Sequence, residues 1–314
     1  MPENSQSPAQ HVFGPVPSRR LGLSLGVDLV PHKVCTLDCI YCQVGRTTRK
    51  TVVRETFVPV ETILSEIAEK LRAVPRPDVI TLAGSGEPTL HAGLDDIIDG
   101  IKKLTDISTA VLTNGTLLSD PAVRTACKKA DIVLPSLDAG DEETFRRINR
   151  PAEGITLEQL VHGLEVFRKE YTGQLWLEIF FVSKINDSHD HARKIGGLIE
   201  RIRPDRIQLN TAVRPTAEED VHALTPDKMS ALCKIMGPKA EVIADFKHLD
   251  KPPAFAAKIE DVLAMIRRRP VTASDIAAGL GIHPNETVKL VEELLRKDLI
   301  VRERRGDRDF LRSR

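Results

Sequence analysis

Between residues 24 and 245, short runs of β-branched and apolar residues alternate with longer amphipathic stretches, and this rhythm constrains the fold more than any other feature of the sequence. Runs too short for a stable helix, each followed by a stretch long enough to cross back over a sheet, describe repeated βα units around parallel strands. Six strands are expected at 24–30, 79–83, 109–113, 132–136, 175–182 and 206–210, with a weaker seventh at 242–244. Within the first crossover, residues 60–72 place Ile63, Ile67 and Leu71 at i, i+4 and i+8, one apolar face of a helix. Helices on one side of a parallel sheet imply an α/β fold, a partial (β/α)6 TIM-like barrel.

In such a fold the loops after the C-terminal ends of the strands converge on one rim, where barrel enzymes carry their chemistry. The unusual motifs of this chain fall in those loops. Three cysteines follow the first strand and Gly84-Ser85-Gly86-Glu87-Pro88 follows the second; Thr113-Asn114-Gly115 closes the third and Ser136-Leu137-Asp138 the fourth. Further on, Lys251-Pro252-Pro253 interrupts the rhythm, because proline disfavours helix on both sides of the junction. The chain therefore divides into an N-terminal extension (1–23), a core (24–250) and a C-terminal domain (254–314). The last reads as helix (256–268), short helix (273–279), turn, helix (285–297) and two short strands around Arg305 and Gly306, the order of a winged helix-turn-helix.

Composition bounds the function without choosing it. A chain of 314 residues suffices for a large domain and a small one, and 41% hydrophobic with 29% charged residues describes a globular protein. Forty-five basic side chains against forty-five acidic ones leave no overall field for nucleic acid, so any such binding needs a local patch. No run approaches the ~20 apolar residues that span a bilayer, and the first residues lack the charged-then-apolar order of a signal peptide. A cytoplasmic location without membrane contact is expected. Three of the five cysteines lie within eight residues, which suits a metal site in a reducing compartment better than disulfides. The isolated Cys127 and Cys233 read as interior thiols.

Cys35, Cys39 and Cys42 have Cys-x3-Cys-x2-Cys spacing on a loop that begins at Pro31. Three thiolates can wrap one cubane cluster, each sulfur on a different iron, leaving the fourth iron without a protein ligand. The alternative is a structural zinc site with His32 as fourth ligand, although the distant second ligand pair usual for zinc is not visible. With Tyr41 before the third cysteine, the loop resembles that of the radical S-adenosylmethionine (SAM) superfamily, whose signature is Cys-x3-Cys-x-aromatic-Cys. The resemblance implies a [4Fe–4S] cluster on the three cysteines, with the amino and carboxylate groups of SAM on the open iron. It also implies an electron from a reductant protein such as a flavodoxin or ferredoxin, cleavage of SAM to methionine and a 5′-deoxyadenosyl radical, and hydrogen abstraction from a substrate.

Other segments match that superfamily in the expected order. Gly84, Ser85, Gly86 and Glu87 resemble its Gly-Gly-Glu segment, with Ser85 in place of glycine, and would hold the amino group of SAM. Ser136 and Asp138 resemble the segment that bonds the ribose hydroxyls, and Thr113 and Asn114 fit the third strand end. Together with Tyr41 these are the candidate cofactor-binding residues. Read without the resemblance, 84–88 is a tight turn, Asn114-Gly115 a simple turn, and Asp138 a helix N-cap before Glu142 and Glu143. Glu178, Phe180, Asn210 and Arg214 either face the rim or serve surface ion pairs and packing.

The segment from Phe13 to Gly22, and Gln43-Val44-Gly45-Arg46-Thr47-Thr48 after the cysteines, resemble a subgroup related to the wyosine-type transfer-RNA synthetases. Those enzymes carry further cysteines ahead of the radical motif; this chain has none before Cys35, so their pyruvate-dependent reaction is not carried over. Arg19, Arg20, Arg46, Arg49, Lys50 and Arg54 flank the cysteine loop as a phosphate-binding face or a solvated one. Residues 251–314 hold fourteen Lys or Arg against ten Asp or Glu, with Arg302, Arg304, Arg305, Arg308, Arg312 and Arg314 around the wing, a candidate contact for RNA or DNA. Glu286, Glu292 and Glu293 on the recognition helix oppose such a contact. The function expected first is radical modification of a substrate, with a transfer-RNA nucleoside as the leading class. A small metabolite or peptide substrate, and an iron–sulfur redox sensor joined to a DNA-binding domain, are the alternatives.

Overall fold

The computed structural model describes residues 11–18, 20–213, 216–244, 259–280, 284–305 and 308–314. Strands β1 (Val12–Ser18) and β2 (Gly22–Val27) form an antiparallel pair, and β3 (Val34–Cys35) and β4 (Arg49–Lys50) a separate two-residue pair. After them come β5 (Val79–Leu82), β6 (Ser108–Thr113), β7 (Ile132–Pro135), β8 (Gln174–Phe181), β9 (Arg206–Thr211) and β10 (Ala240–Val242). Among the described residues these make one sheet in the order β1-β2-β5-β6-β7-β8-β9-β10, parallel from β2 onward. Each strand joins beside its predecessor with no reversal of order, so right-handed crossovers keep their helices on one face, consistent with a partial barrel.

The crossover helices are α1 (Val60–Ala73), α2 (Leu94–Leu104), α3 (Pro121–Cys127), α4 (Glu142–Asn149), α5 (Leu157–Glu170), α6 (His189–Ile202) and α7 (Pro226–Met236). In α1 the expected apolar face is present: Ile63 and Ile67 are fully buried, each contributing about 2 kcal/mol of transfer free energy. Period-two alternation divides the strands. Leu25, Ile80, Leu82, Val111, Leu177 and Leu209 belong to the core shared with the helices. The intervening residues face the other way, and there Leu21, Val79, Ala110, Leu134 and Trp176 form a smaller cluster.

The six expected strands occur within a few residues of their anticipated bounds, and the weaker seventh pairs at Ala240–Val242 rather than 242–244. Strand β1 lies inside the segment expected to be an extension. Its Gly14, Pro15 and Pro17 break the alternating pattern, and the register shifts between Phe13 and Val16, which an edge strand tolerates.

Helices α8 (Ile259–Arg268), α9 (Ala273–Leu280) and α10 (Pro284–Arg296), with the hairpin β11 (Ile300–Arg305) and β12 (Arg308–Ser313), enclose a second core that includes Val262, Ile266, Ile276, Leu294 and Leu311. Val271 bridges Leu311 antiparallel. This unit touches the sheet edge: Val16 packs against its core, α8 and α9 contact β1, and Lys70 Nζ lies 3.1 Å from Asp261 Oδ1. The junction expected at 250–255 lies outside the described residues. No helix among those described is long and apolar enough to cross a membrane.

Two interior histidines give the fold a pH dependence. His91 is fully buried; its Nε2 donates to Val58 O at 2.8 Å while Nδ1 accepts from Gly93 N at 3.1 Å, which requires the neutral ring. His191 accepts from Gly140 N through Nε2 at 3.0 Å. Burial lowers both pKa values below the ordinary 6.5. At these two sites the unfolded chain therefore binds more protons than the folded one below about pH 6.5, so the stability they contribute is full above that pH and falls beneath it. Urea midpoints should be level from about pH 8 to 7 and decline toward about pH 5. A His91→Gln variant should show a shallower decline than wild type, the buried carboxyls being common to both, and superimposable profiles would contradict the assignment.

Candidate active site

The cysteine loop leaves β2 and is tied on two sides. Lys33 N donates to Ser85 O at 2.7 Å and Glu87 N to Val34 O at 3.0 Å, joining it to the loop after β5. Asp38 N donates to Asn149 O at 3.0 Å and Ile40 N to Ile148 O at 2.9 Å, joining it to the end of α4. All three thiols are free and half-buried. Each meets an N–H donor. Cys35 Sγ accepts from Leu37 N at 3.4 Å and Asn114 Nδ2 at 3.5 Å, Cys39 Sγ from Asn149 Nδ2 at 3.4 Å, and Cys42 Sγ from Lys33 Nζ at 2.9 Å. Lys33 itself is buried, with a left-handed φ of 60°.

Burial, with Glu87 nearby, pushes the Cys35 thiol up to about 11, and burial and Asp138 hold the Cys39 thiol well above the ordinary thiol value. Such thiols keep their protons unless a cation takes the proton's place, the ordinary coupling of metal binding to deprotonation. Three cysteines on one loop, supplied with N–H donors and a buried lysine, fit an iron–sulfur cluster by the chemistry of the donor set. His32, the candidate fourth zinc ligand, is exposed. Among the described residues no three His, Cys, Asp or Glu side chains converge on a single-ion position.

Glu87 is buried and accepts four hydrogen bonds: Thr89 N at 3.1 Å, Thr89 Oγ1 at 2.6 Å, Thr113 Oγ1 at 2.6 Å and Asn114 N at 2.8 Å. Burial raises its pKa and the donors oppose the rise. The carboxylate thus knits the second and third rim loops together, and so holds Asn114 where its Nδ2 reaches Thr36 Oγ1 at 2.8 Å and Cys35. The glycines beside it are needed for close approach. A Cβ on Gly86 would lie 2.1 Å from Val34 O, and Gly84, at φ +141°, would drive one into the Asp28 carboxylate. Asp28 in turn accepts from Ser85 N at 3.1 Å and Ser85 Oγ at 2.5 Å.

Asp138 is also interior, only 2% exposed, and both its expected roles need correcting. Its carboxylate accepts from Phe180 N at 2.8 Å, from Asn149 Nδ2 at 2.7 Å and from the Tyr41 hydroxyl, so its oxygens are taken by the protein rather than offered to a ribose. Nor is it an N-cap; Asp141 caps α4, accepting from Thr144 N at 2.9 Å. Burial raises Asp138 to about 6. Through it Tyr41 is fixed, its ring stacked on Phe180 with centroids 4.0 Å apart. Asn149 Oδ1 is buried with no hydrogen-bond partner, an acceptor on the residue that bonds Cys39.

A chamber of about 400 Å³ opens beside the loop, lined among others by Tyr41, Cys42, Gly84, Ser136, Glu178 and Asn210. Its volume is in the range of small-molecule sites. Polar pairs line it: Ser24 Oγ lies 2.6 Å from Thr81 Oγ1, and Glu178 accepts from Arg20 Nη1 at 2.5 Å and Asn210 Nδ2 at 2.9 Å. Glu178, Phe180 and Asn210 therefore do face the rim; Arg214 lies outside the described residues.

The described cations flanking the loop are each engaged by the protein itself. Arg20 is held inside by Glu178, Arg46 pairs with Glu218 and Arg49 with Glu55. Lys50 Nζ donates to Arg150 O, and Arg54 to the carbonyls of Thr89, His91 and Ala92. They tie the loop to its surroundings; Arg19 lies outside the described residues. Of the two isolated cysteines, Cys127 is buried and the Cys233 thiol donates to Ala240 O at 3.2 Å.

Sequence reasoning missed Lys33, Asn149 and Asp28. Lys33 sits two residues before Cys35, where a cation next to three thiolates is a usable signal. Asn149 lies 110 positions from the cysteine it bonds, and no local pattern marks it.

Residues 29–195 match the model of the radical SAM superfamily. Over 296 residues the chain is 39% identical to GTPase Obg of Brachyspira hyodysenteriae, covering 93% of this chain but 43% of that protein, so it spans less than half of that relative. It is 32% identical over 296 residues to the UPF0026 protein MJ1312 of Methanocaldococcus jannaschii, covering 92% of this chain and 87% of the relative. The solved structure of Streptococcus suis SuiB bound to S-adenosylmethionine aligns with a TM-score of 0.53 at 14% identity, over 74% of this chain and 53% of that one, a likeness of fold.

Proposed function

Because this chain belongs to the radical SAM superfamily, enzymes that use a [4Fe–4S] cluster and S-adenosylmethionine, we propose that Cys35, Cys39 and Cys42 hold the cluster and that the chamber beside them takes SAM and substrate. The observation that carries this reading is the set of three half-buried thiols, each with an N–H donor, on the rim of a mostly parallel sheet. Held by these three cysteines and reduced by one electron, the cluster would supply the electron for reductive cleavage of SAM.

The chain's own residues do the rest. Lys33 offsets thiolate charge at Cys42, while Asn114 and Asn149 donate to Cys35 and Cys39. Gly84 brings backbone to the chamber wall, and Ser136 brings a hydroxyl suited to a ribose. The unpartnered Asn149 Oδ1 is a buried acceptor on the residue that bonds Cys39. Glu87 with Thr113, and Asp138 with Tyr41, act one step back, as positioning residues that hold the loops bearing these groups. The α8 to β12 unit we read as a winged helix-turn-helix, with a small redox protein such as a flavodoxin or ferredoxin as electron donor.

Removing a sulfur's donor should make the cluster harder to reduce, since the N–H groups stabilise the extra negative charge of the reduced state. Asn149→Ala is expected to shift the reduction potential to more negative values, by tens of millivolts, in an electron-paramagnetic-resonance redox titration. An unchanged potential would count against Asn149 as a donor to the bound cluster.

For substrate, the reading favours a transfer-RNA nucleoside, supported by the arginine-rich groove that continues outward from the chamber. The test is to incubate reduced, reconstituted enzyme and SAM with cellular RNA, then digest the RNA and compare nucleoside masses. A new nucleoside, with 5′-deoxyadenosine rising above the RNA-free level, is expected. A product in the metabolite or peptide fraction instead would move the substrate to that class.

A further inference from the structure

The sheet alone does not wall the chamber; α8 brings Met265 and Arg268 into it, and Arg269 follows just past the helix end. The Arg268 side chain is 16% exposed and its guanidinium lies over the Phe13 ring. Its hydrogen bond among the described residues is Nη1 to Asp28 Oδ2 at 3.4 Å, and Asp28 already accepts from both the backbone and the hydroxyl of Ser85. A guanidinium carries five N–H donors in a planar fork, so one long contact leaves most of that capacity unused. Burial drags its pKa down to about 9, with Asp28 only partly opposing. A largely buried cation so thinly partnered is set to receive an anion.

From Arg268 outward the chamber continues into a groove of about 420 Å³ between the cysteine loop and the C-terminal unit; Gln43, Val44, Arg268 and Arg269 line both. Among the described residues the groove is lined by five arginines (Arg267, Arg268, Arg269, Arg312 and Arg314), with Glu303 as its one carboxylate. Arg312 and Arg314 keep loose or solvent-facing ion pairs, to Glu303 and Asp298, at about 60% exposure. In a chain with equal numbers of acidic and basic residues, this is a concentrated positive patch, and it ends inside the chamber.

We propose that this seam is a phosphate-recognition site, with Arg268 as the innermost, specificity-determining residue that grips a phosphate of the substrate at the chamber mouth. The proposal rests on the reading of the chamber as the reaction site. Arg268 would trade its long contact with Asp28 for a bidentate bond to phosphate, while Ser85 keeps Asp28 satisfied. Because α8 supplies the grip, the C-terminal unit is part of the substrate site rather than an appended module. The phosphate could belong to a mononucleotide or to an RNA strand, and the two differ in how many arginines they engage.

The test is binding, scored without turnover. Cluster-loaded protein is titrated against a fluorescein-labelled unstructured oligoribonucleotide by anisotropy at several salt concentrations, with GMP as competitor. A strand engaging about four cations gives a slope near −3 in log K against log salt, at roughly −0.7 per phosphate. Arg268→Ala, and Arg267→Glu on the exposed lip where folding is not at stake, should each weaken binding about 10-fold, and Arg76→Ala, away from the groove, should not. Full displacement by GMP assigns the site to a mononucleotide, and failure of GMP to displace the strand assigns it to RNA. The proposal is overturned if neither ligand binds at low salt, or if Arg267→Glu binds like wild type. A wild-type protein that cleaves SAM but binds neither ligand would sink this proposal alone, whereas binding without cleavage would sink the reading of the chamber.

Discussion

Cys39→Ala is expected to purify with almost no iron or sulfide, to lack the visible absorbance of a [4Fe–4S] centre after reconstitution, and to yield no 5′-deoxyadenosine. The magnitude follows from the ligand count. Each of three sulfurs anchors a different iron, so two cannot hold a cubane in register, and no spare thiol stands by, since Cys127 is buried in the core and Cys233 donates to Ala240 O. Folding should survive. Cys39 is half-buried at the margin of the core, and trimming it to alanine costs about 1 kcal/mol. Cys35→Ala and Cys42→Ala should behave alike. Cys127→Ala and Cys233→Ala should retain full iron content, which separates ligand loss from general damage. A Cys39→Ala protein that reconstitutes a full cluster would refute the ligand assignment.

The second large effect is on stability. Asp138→Ala should lower the free energy of unfolding by about 3–5 kcal/mol, because it strands the Phe180 amide, the Asn149 amide and the Tyr41 hydroxyl, at roughly 1–3 kcal/mol for each buried donor. The damage should also reach the cluster. Asn149 bonds both Asp138 and Cys39, so loosening one loosens the other, and the variant should lose iron faster under chelator than wild type. Urea denaturation of the metal-free proteins measures the first consequence. A loss below about 1 kcal/mol would show that Asp138 is not the interior keystone its hydrogen bonds imply.

Much of this architecture is legible in the sequence because the physics is local. Strands such as Val79–Leu82 and Ile132–Pro135 are covered on both faces, so they read as continuous apolar runs, and α1 shows its Ile63 and Ile67 stripe. The three cysteines sit within one loop, so their spacing marks a metal site, and the resemblance of that loop to the radical SAM signature points to a cluster. What sequence concealed is non-local. Strand β1 hides behind Gly14, Pro15 and Pro17 and is a strand because β2 offers it an edge. The arginines flanking the loop look like a phosphate face until their partners are known, and Arg20 meets its Glu178 across 158 positions. Asp138 is compatible with a cap, a ribose ligand or an interior acceptor; only the convergence of Tyr41, Asn149 and Phe180 on it decides. Arg268 reaches Asp28 across 240 positions, from a different hydrophobic core.

The central claim, that this chain cleaves SAM reductively at a cluster on Cys35, Cys39 and Cys42, is tested most directly by one anaerobic assay. Reconstituted wild type and Cys39→Ala are reduced with dithionite, given SAM, and analysed for 5′-deoxyadenosine by mass spectrometry. The account predicts 5′-deoxyadenosine from wild type and none from the variant. A wild-type protein carrying a full, reducible cluster that forms none, with or without cell extract, would contradict it.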